Sequence, residues 1–389
     1  MSDRPTAIAE MTCPHPFLTP SEEFSDVSRG NPKPHQLTGQ ALIDARMTAE
    51  TWRLEITADS FTEEPHVQQP ATLAKPMTID GGNALDLNQL MDLGTTKGFG
   101  YIKAMQCLNI PTPLGQGFWE GVPLRDVLQL CGTMNNVRRI YYWGFHNNDP
   151  DQVFRSSLSY SQVMETPPGE LPVFLAYRLN GQPISPLRGG PVRMVVPWAH
   201  GFKSVKWLSH IFVTNDYRTN DTYALKNNDP ESPLKTAAYL DELPRKVTTG
   251  QPLDVTGLVI SGWSGFSHVE YWVREVSQDS GDVDDAALAE APWQRADLFP
   301  APELRQLLPA GTVAQHVAGF DASTGKPHHW PLRYGMAAWG VRLSGLTPGQ
   351  YEIRARAVDG NGYAQPEPRP LQKSGKNAIP VRTVDVEDA

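Results

Sequence analysis

A mixed α+β domain followed by a β-sandwich is the architecture this sequence predicts, and three observations predict it. Between Trp52 and Thr214, strand-like runs are interspersed with short helical runs and one hairpin signal, Asn180-Gly181. That order suits a mixed sheet better than a doubly wound one. Beyond about Val247 the chain becomes short strands broken by turns, and Tyr351-Glu-Ile-Arg-Ala-Arg-Ala357 alternates between an apolar and a charged face. Finally, 35 prolines and 10 tryptophans in 389 residues point to irregular connections pinned by large aromatic anchors. The expected division is an N-terminal extension over 1–40, a first domain over 41–245 and a second over 246–389.

Residues 1–40 are polar and Pro-rich, and should be ordered only where they cross the main body. Within them, Arg29-Gly-Asn-Pro-Lys-Pro-His35 concentrates cations, a histidine and an amide, either as a solvated loop or as part of a site. Trp52 to Ile56 reads as a strand, and Leu87, Leu90 and Met91 as a short helix stopped by Gly94. The strand from Tyr101 to Met105 runs into Cys107, after which Pro111, Pro113, Gly115 and Gly117 predict a loop. Leu124, Val127, Leu128 and Cys131 fall at helical spacing between Pro123 and Gly132, which makes Cys131 a core residue.

Further strands are expected over 139–145, 173–177, 191–196 and 204–214, with a short helix at Tyr160, Val163 and Met164. The polar stretch from Asn215 to Arg245 reads as a surface connection. In the second domain 255–260, 268–274 and 351–357 are strands, Asp359-Gly-Asn-Gly362 is a turn, and the acidic stretch from Asp279 to Glu290 is a solvated loop.

The formal charge of -9 argues against a general nucleic-acid surface. Cysteines at 13, 107 and 131 form neither a CxxC nor an even framework, which excludes a zinc ribbon or a disulfide scaffold. The absence of an apolar N-terminal run gives the expectation of a cytoplasmic protein with no membrane span. Gly262-Trp-Ser-Gly-Phe266 lacks the last glycine of a nucleophile elbow, no Walker loop, GxGxxG or HExxH is present, and His328-His329 reads as a solvated pair.

What remains is a thiol, Cys107, delivered by a strand end to a loop that can wrap a ligand, and soft enough for a thiophilic metal. Downstream, Gly189-Gly-Pro-Val-Arg193 and Gly201-Phe-Lys-Ser-Val-Lys206 offer a guanidinium, lysines and backbone amides suited to phosphate. Taken alone, Arg193 also reads as a structural ion pair and Tyr177 as an ordinary strand tyrosine. Together the residues spell a metal thiolate beside an oxyanion or phosphate site.

The order of motifs resembles the sulfite oxidase family of molybdopterin enzymes. The likeness runs through Met105-Gln-Cys107, Trp119-Glu-Gly-Val-Pro-Leu-Arg-Asp-Val-Leu128, Ala176-Tyr-Arg-Leu-Asn-Gly181, Gly190-Pro-Val-Arg-Met-Val-Val-Pro197 and Ser204-Val-Lys-Trp207. It continues through Val259-Ile-Ser-Gly-Trp263, Trp339-Gly-Val-Arg-Leu343 and Ala357-Val-Asp-Gly-Asn-Gly-Tyr363 into the family's immunoglobulin-like dimerisation domain. The resemblance implies a sulfite-oxidase-type α+β domain holding a molybdenum–molybdopterin cofactor. Cys107 would be the protein thiolate on the metal and Tyr177 the active-site tyrosine; Arg193, Ser204, Val205 and Lys206 would hold the pterin phosphate, and Asn31, His146 and Arg188 would touch the cofactor. It further implies a homodimer and, with no haem domain fused, an external electron acceptor.

Where sulfite oxidases place arginines after the cysteine, this chain has Leu108-Asn-Ile-Pro-Thr112. The shortened loop to Trp119 resembles the methionine-sulfoxide reductase subunit of the same superfamily. Three readings follow: oxygen-atom transfer oxidising sulfite or a related small sulfur oxyanion, reduction of sulfoxides or other S- or N-oxides on the same cofactor, or a metal-free dimeric scaffold.

Overall fold

The computed structural model describes residues 7–59, 64–108, 110–277, 283–308, 316–366 and 377–388. Two five-stranded sheets carry the first part of the chain. In one, the order is Leu85–Asp86, Arg53–Ala58, Leu208–Thr214, Arg139–Gly144 and Ser156–Ser159, with the Arg53–Ala58 and Leu208–Thr214 strands parallel. In the other, Gln182–Pro183, Phe174–Leu179, Gly115–Pro123 and Phe99–Met105 lie in line, and Arg193–Val195 also pairs with Phe174–Leu179. The hairpin forms where Asn180-Gly181 predicts it, with both residues at positive φ (50° and 76°), as a tight primed turn requires. Leu54, Leu90, Val127, Leu128, Ile211 and Cys131 belong to one buried core, so Cys131 sits where its helical spacing put it.

The later strands form an eight-stranded sheet that folds across itself through Gln294–Leu298, which pairs with His268–Val276 on one side and Met336–Leu343 on the other. Val255 and Trp339 of one half share a core with Val269 and Ile353 of the other. A further cluster sets Ile102 and Phe118 against Leu304, Val317 and Leu332, so the first part of the chain packs on the last. Among the described residues no helix is long and apolar enough to cross a membrane.

Three local expectations are corrected. Gly115 and Gly117 do not belong to a loop: the strand resumes at Gly115 and pairs with the strand before Cys107, confining the loop to 106–114. The glycines are there for room, since a Cβ on Gly115 would meet the Phe24 ring at 2.6 Å and one on Gly117 would meet Leu179 at 2.3 Å. Gly94 does not stop its helix, which spans Leu87–Lys97, because the Tyr177 hydroxyl packs onto it, 2.4 Å from where a Cβ would stand. The acidic stretch is partly helical, Asp285–Glu290 capped by Asp284, and its residues 279–282 lie outside the described residues.

The N-terminal extension is tied down. Backbone amides of Thr19 and Ser25 donate to the carbonyls of Gln116 (2.8 Å) and Leu114 (2.9 Å), and Phe24 is buried. The connection after Asn215 is not confined to the surface either, since Asp221 and Tyr223 are buried. The Asp221 carboxylate turns the chain inward by accepting from the amides of Tyr223 and Ala224 at 3.0 Å.

Candidate cofactor and substrate site

Cys107 stands two residues beyond the Phe99–Met105 strand, half-buried at the wall of a cavity of about 360 Å³. Gln106 fixes it there. The buried side-chain amide of Gln106 donates to the carbonyls of Cys107 (3.1 Å) and Ile110 (2.7 Å), and the Gln106 backbone carbonyl accepts from the amide of Gly201 at 2.7 Å. The thiol loop is thereby stitched to the Gly201–Lys206 segment.

That segment and the Pro186–Arg188 turn bring cations to the same cavity. Arg193 donates from its two terminal nitrogens to the carbonyls of Arg188 (2.7 Å) and Ser204 (2.6 Å), and Arg188 donates to the carbonyl of Phe24 at 2.7 Å. The Ser204 hydroxyl accepts from the amide of Val196 at 3.1 Å. Lys206 donates to Ser28 Oγ, the Leu187 carbonyl and Asp26 Oδ1 at 2.6, 2.8 and 3.2 Å. Gly189, at φ 98°, leaves room for this lysine, because a Cβ there would come within 2.5 Å of its Cγ.

This cluster is under-compensated. Among the described residues, the buried Nε atoms of Arg188 and Arg193 have no hydrogen-bond partner. Burial and the neighbouring Arg188 charge bring the Arg193 guanidinium down to about 9. Burial and then Arg193 lower the Lys206 ammonium to about 7 against the opposing pull of Asp26. Buried cations with orphaned donors are costly unless an anion joins them. A phosphate brings the missing charge and the acceptors.

Cys107, His146, Arg188, Arg193, Ser204, Val205 and Lys206 therefore line one cavity. Asn31 and Tyr177 do not. Asn31 is an exposed rim residue whose backbone amide donates to Gln152 Oε1 at 2.9 Å, and Arg29 and Gly30 line the cavity beside it. The catalytic expectation for Tyr177 is corrected by strand alternation. Phe174 and Ala176 face the cluster that includes Met105 and Cys107, so Tyr177 points with Leu175 into the opposite core.

The phenol at the cavity is Tyr223, which lines it together with Arg29 and Cys107. Burial raises its hydroxyl above the ordinary value, Arg29 opposes that rise, and Cys107 adds to it. The signal for Tyr223 was an aromatic residue two positions after an aspartate in an otherwise polar run. Lys33 and His35 turn away to Asp26, at 3.0 and 3.9 Å, so Arg29 is the cation of that stretch that lines the cavity.

Among the described residues no group of three or more His, Cys, Asp or Glu could hold a bare metal ion. A metal bound through the Cys107 sulfur must bring its other ligands with it, which an organic carrier anchored by a phosphate does. Residues 87–222 match the family model for the oxidoreductase molybdopterin binding domain. Rat (Rattus norvegicus) mitochondrial sulfite oxidase is 30% identical over 196 residues, covering 46% of this chain and 34% of that protein. The matched segment is thus similar to the molybdopterin-dependent oxidoreductases of the sulfite oxidase family. NADH nitrate reductase 2 of Phaseolus vulgaris is another relative, 30% identical over 202 residues that cover 47% of this chain and 21% of that one. The chain thus spans at most about a third of the length of these curated relatives. The fold is shared over nearly the whole chain with a chain of the sulfane dehydrogenase SoxCD from Paracoccus pantotrophus, which superimposes at TM-score 0.58 and 16% identity, covering 92% of this chain and 86% of that one.

Proposed function

We propose that this protein is a member of the sulfite oxidase family that moves an oxygen atom between water and a small sulfur oxyanion, passing the electrons to an external acceptor. The observation that carries the reading is a half-buried thiol sharing one cavity with two buried guanidinium groups whose Nε atoms lack partners among the described residues. Cys107 would ligate molybdenum, while Arg188, Arg193, Ser204, Val205 and Lys206 hold the pterin phosphate and His146 borders the cofactor. The bound cofactor would supply two-electron redox chemistry and a transferable oxygen. The chain's own residues bind the substrate anion through Arg29 and orient it with the Tyr223 hydroxyl, and the aromatic side chains around them exclude water. The later sheet is proposed as an immunoglobulin-like dimerisation domain, to be tested by sedimentation.

A reductase of S- or N-oxides on the same cofactor is the second reading, favoured by the nitrate reductases among the relatives. A metal-free scaffold fits less well, because it leaves the Arg188 and Arg193 donors buried with no purpose. The deciding experiment is expression in a molybdopterin-producing host. Stoichiometric molybdenum that is lost in Cys107→Ser, and oxidation with ferricyanide of a small sulfur oxyanion from a panel of sulfite and organosulfinates, are expected. A metal-free product sinks the reading, and turnover of methionine sulfoxide with a reduced dye but of no member of that panel would select the second.

A further inference from the structure

Around Cys107 the cavity wall is aromatic, and one cation is set into it. Phe202 and Tyr223 stack with centroids 4.0 Å apart and planes 6° apart. Phe154 meets Tyr223 edge-on at 5.6 Å, and the Arg29 guanidinium lies 4.6 Å from the centre of the Phe154 ring. Tyr223, Phe202, Phe154 and Arg29 line the same cavity as Cys107, which ties this group to the thiol. The cavity's other cations, Arg188, Arg193 and Lys206, form the cluster assigned above to the pterin phosphate, which leaves Arg29 to face the substrate.

A single guanidinium compensates a single negative charge, in a bidentate grip that fits two oxygens on one atom. A second charge on the ligand would face apolar walls without a partner. The aromatic wall would in turn go unused by a ligand that is all oxygen, whereas it suits an organic substituent. We propose that the substrate is an organosulfinate, R–SO2−, whose substituent R is apolar or aromatic, in place of the sulfite dianion. This rests on the oxygen-transfer reading above.

The reaction balances as R–SO2− + H2O → R–SO3− + 2 H+ + 2 e−. The sulfur lone pair becomes the new S–O bond, the oxygen comes from water as its two O–H bonds break, and the protons leave to solvent. Sulfur loses two electrons, which reduce two equivalents of a one-electron acceptor such as ferricyanide. Arg29 holds the two sulfinate oxygens and Phe154 and Phe202 hold R.

The test uses the full chain with its molybdenum content measured first, so that a metal-free preparation counts against the oxygen-transfer reading and the ligand series against this inference. Calorimetric titration with benzenesulfonate, methanesulfonate, sulfate and nitrate is expected to give the benzene compound at least about tenfold the affinity of the other three. Phe154→Ala should erase most of that preference and leave sulfate affinity unchanged, and Arg29→Gln should weaken every anion. Benzenesulfinate should consume two ferricyanides per sulfonate formed. Sulfate or nitrate binding as tightly as benzenesulfonate in the unaltered protein would overturn the proposal, whatever the variants do. So would a well-folded Phe154→Ala protein with its preference intact.

Discussion

Lys206 Nζ lies 3.2 Å from Asp26 Oδ1, so a carboxylate from the N-terminal extension sits on a lysine of the anion cluster. Burial alone would raise the Asp26 carboxyl; hydrogen bonds from Ser28 and Lys33 and the Lys206 charge instead hold it well below the usual range. Its folded value being depressed, its contribution to stability is present above the unfolded carboxylate range and lost as pH falls through it.

Asp26 thus competes with any phosphate for the same ammonium. In cofactor-free protein, Asp26→Asn is expected to bind inorganic phosphate about three- to tenfold more tightly by calorimetry. Weaker binding would mean that Asp26 positions Lys206 for the anion and does not compete with it.

Lys103 is fully buried and donates only to the carbonyls of Ala104 (3.1 Å) and Ala199 (3.3 Å). Burial, and then the Arg193 charge, bring its ammonium down to about 7. Between pH 7 and the unfolded lysine value of about 10.4 the unfolded chain holds a proton the folded chain has shed, so stability rises with pH across that window. Lys103→Met should flatten the rise, with Lys206 supplying the remainder, and should stabilise the protein by about 1 to 4 kcal/mol at pH 7. Urea midpoints at several pH values between 7 and 10 measure both effects.

Gly94 and Tyr177 define a second testable pair. Alanine is the better helix former, yet the Tyr177 hydroxyl stands 2.4 Å from the new Cβ. Gly94→Ala should cost about 1 to 3 kcal/mol by denaturant titration, and adding Tyr177→Phe should recover most of it. Tyr177→Phe alone should leave turnover within about twofold of the parent, whereas Tyr223→Phe should lower kcat by about a hundredfold if its hydroxyl takes part in proton transfer.

The cysteines should separate by alkylation. Burial raises the Cys131 thiol to about 11, and its side chain has no exposed surface. In cofactor-free protein at pH 8, iodoacetamide followed by mass spectrometry should label Cys13, which is exposed, and Cys107, which opens on the cavity, and spare Cys131.

The parts of the site legible in the sequence were those whose chemistry is carried by short contiguous patterns. Cys107 at a strand end, and the Gly189–Arg193 and Gly201–Lys206 segments, announce themselves by glycine spacing and charge, and the cavity gathers all of them. The catalytic expectation for Tyr177 came from the resemblance alone, and its plain reading as a strand tyrosine fits a side chain that packs with Leu175 and onto Gly94. Tyr223 was hidden because its burial depends on Asp221 turning a polar run inward. Gly94 reads as a helix stop on its own, and only its distant contact with Tyr177 explains it otherwise.

The extension that seats Phe24 in the cavity wall and lays Asp26 and Ser28 on Lys206 has a consequence for maturation. A cofactor held in this cavity would share its wall with a flap that backbone bonds fasten to Leu114 and Gln116. Loading and escape of such a group would then depend on how readily the N-terminal residues detach from the strand that begins shortly beyond Cys107.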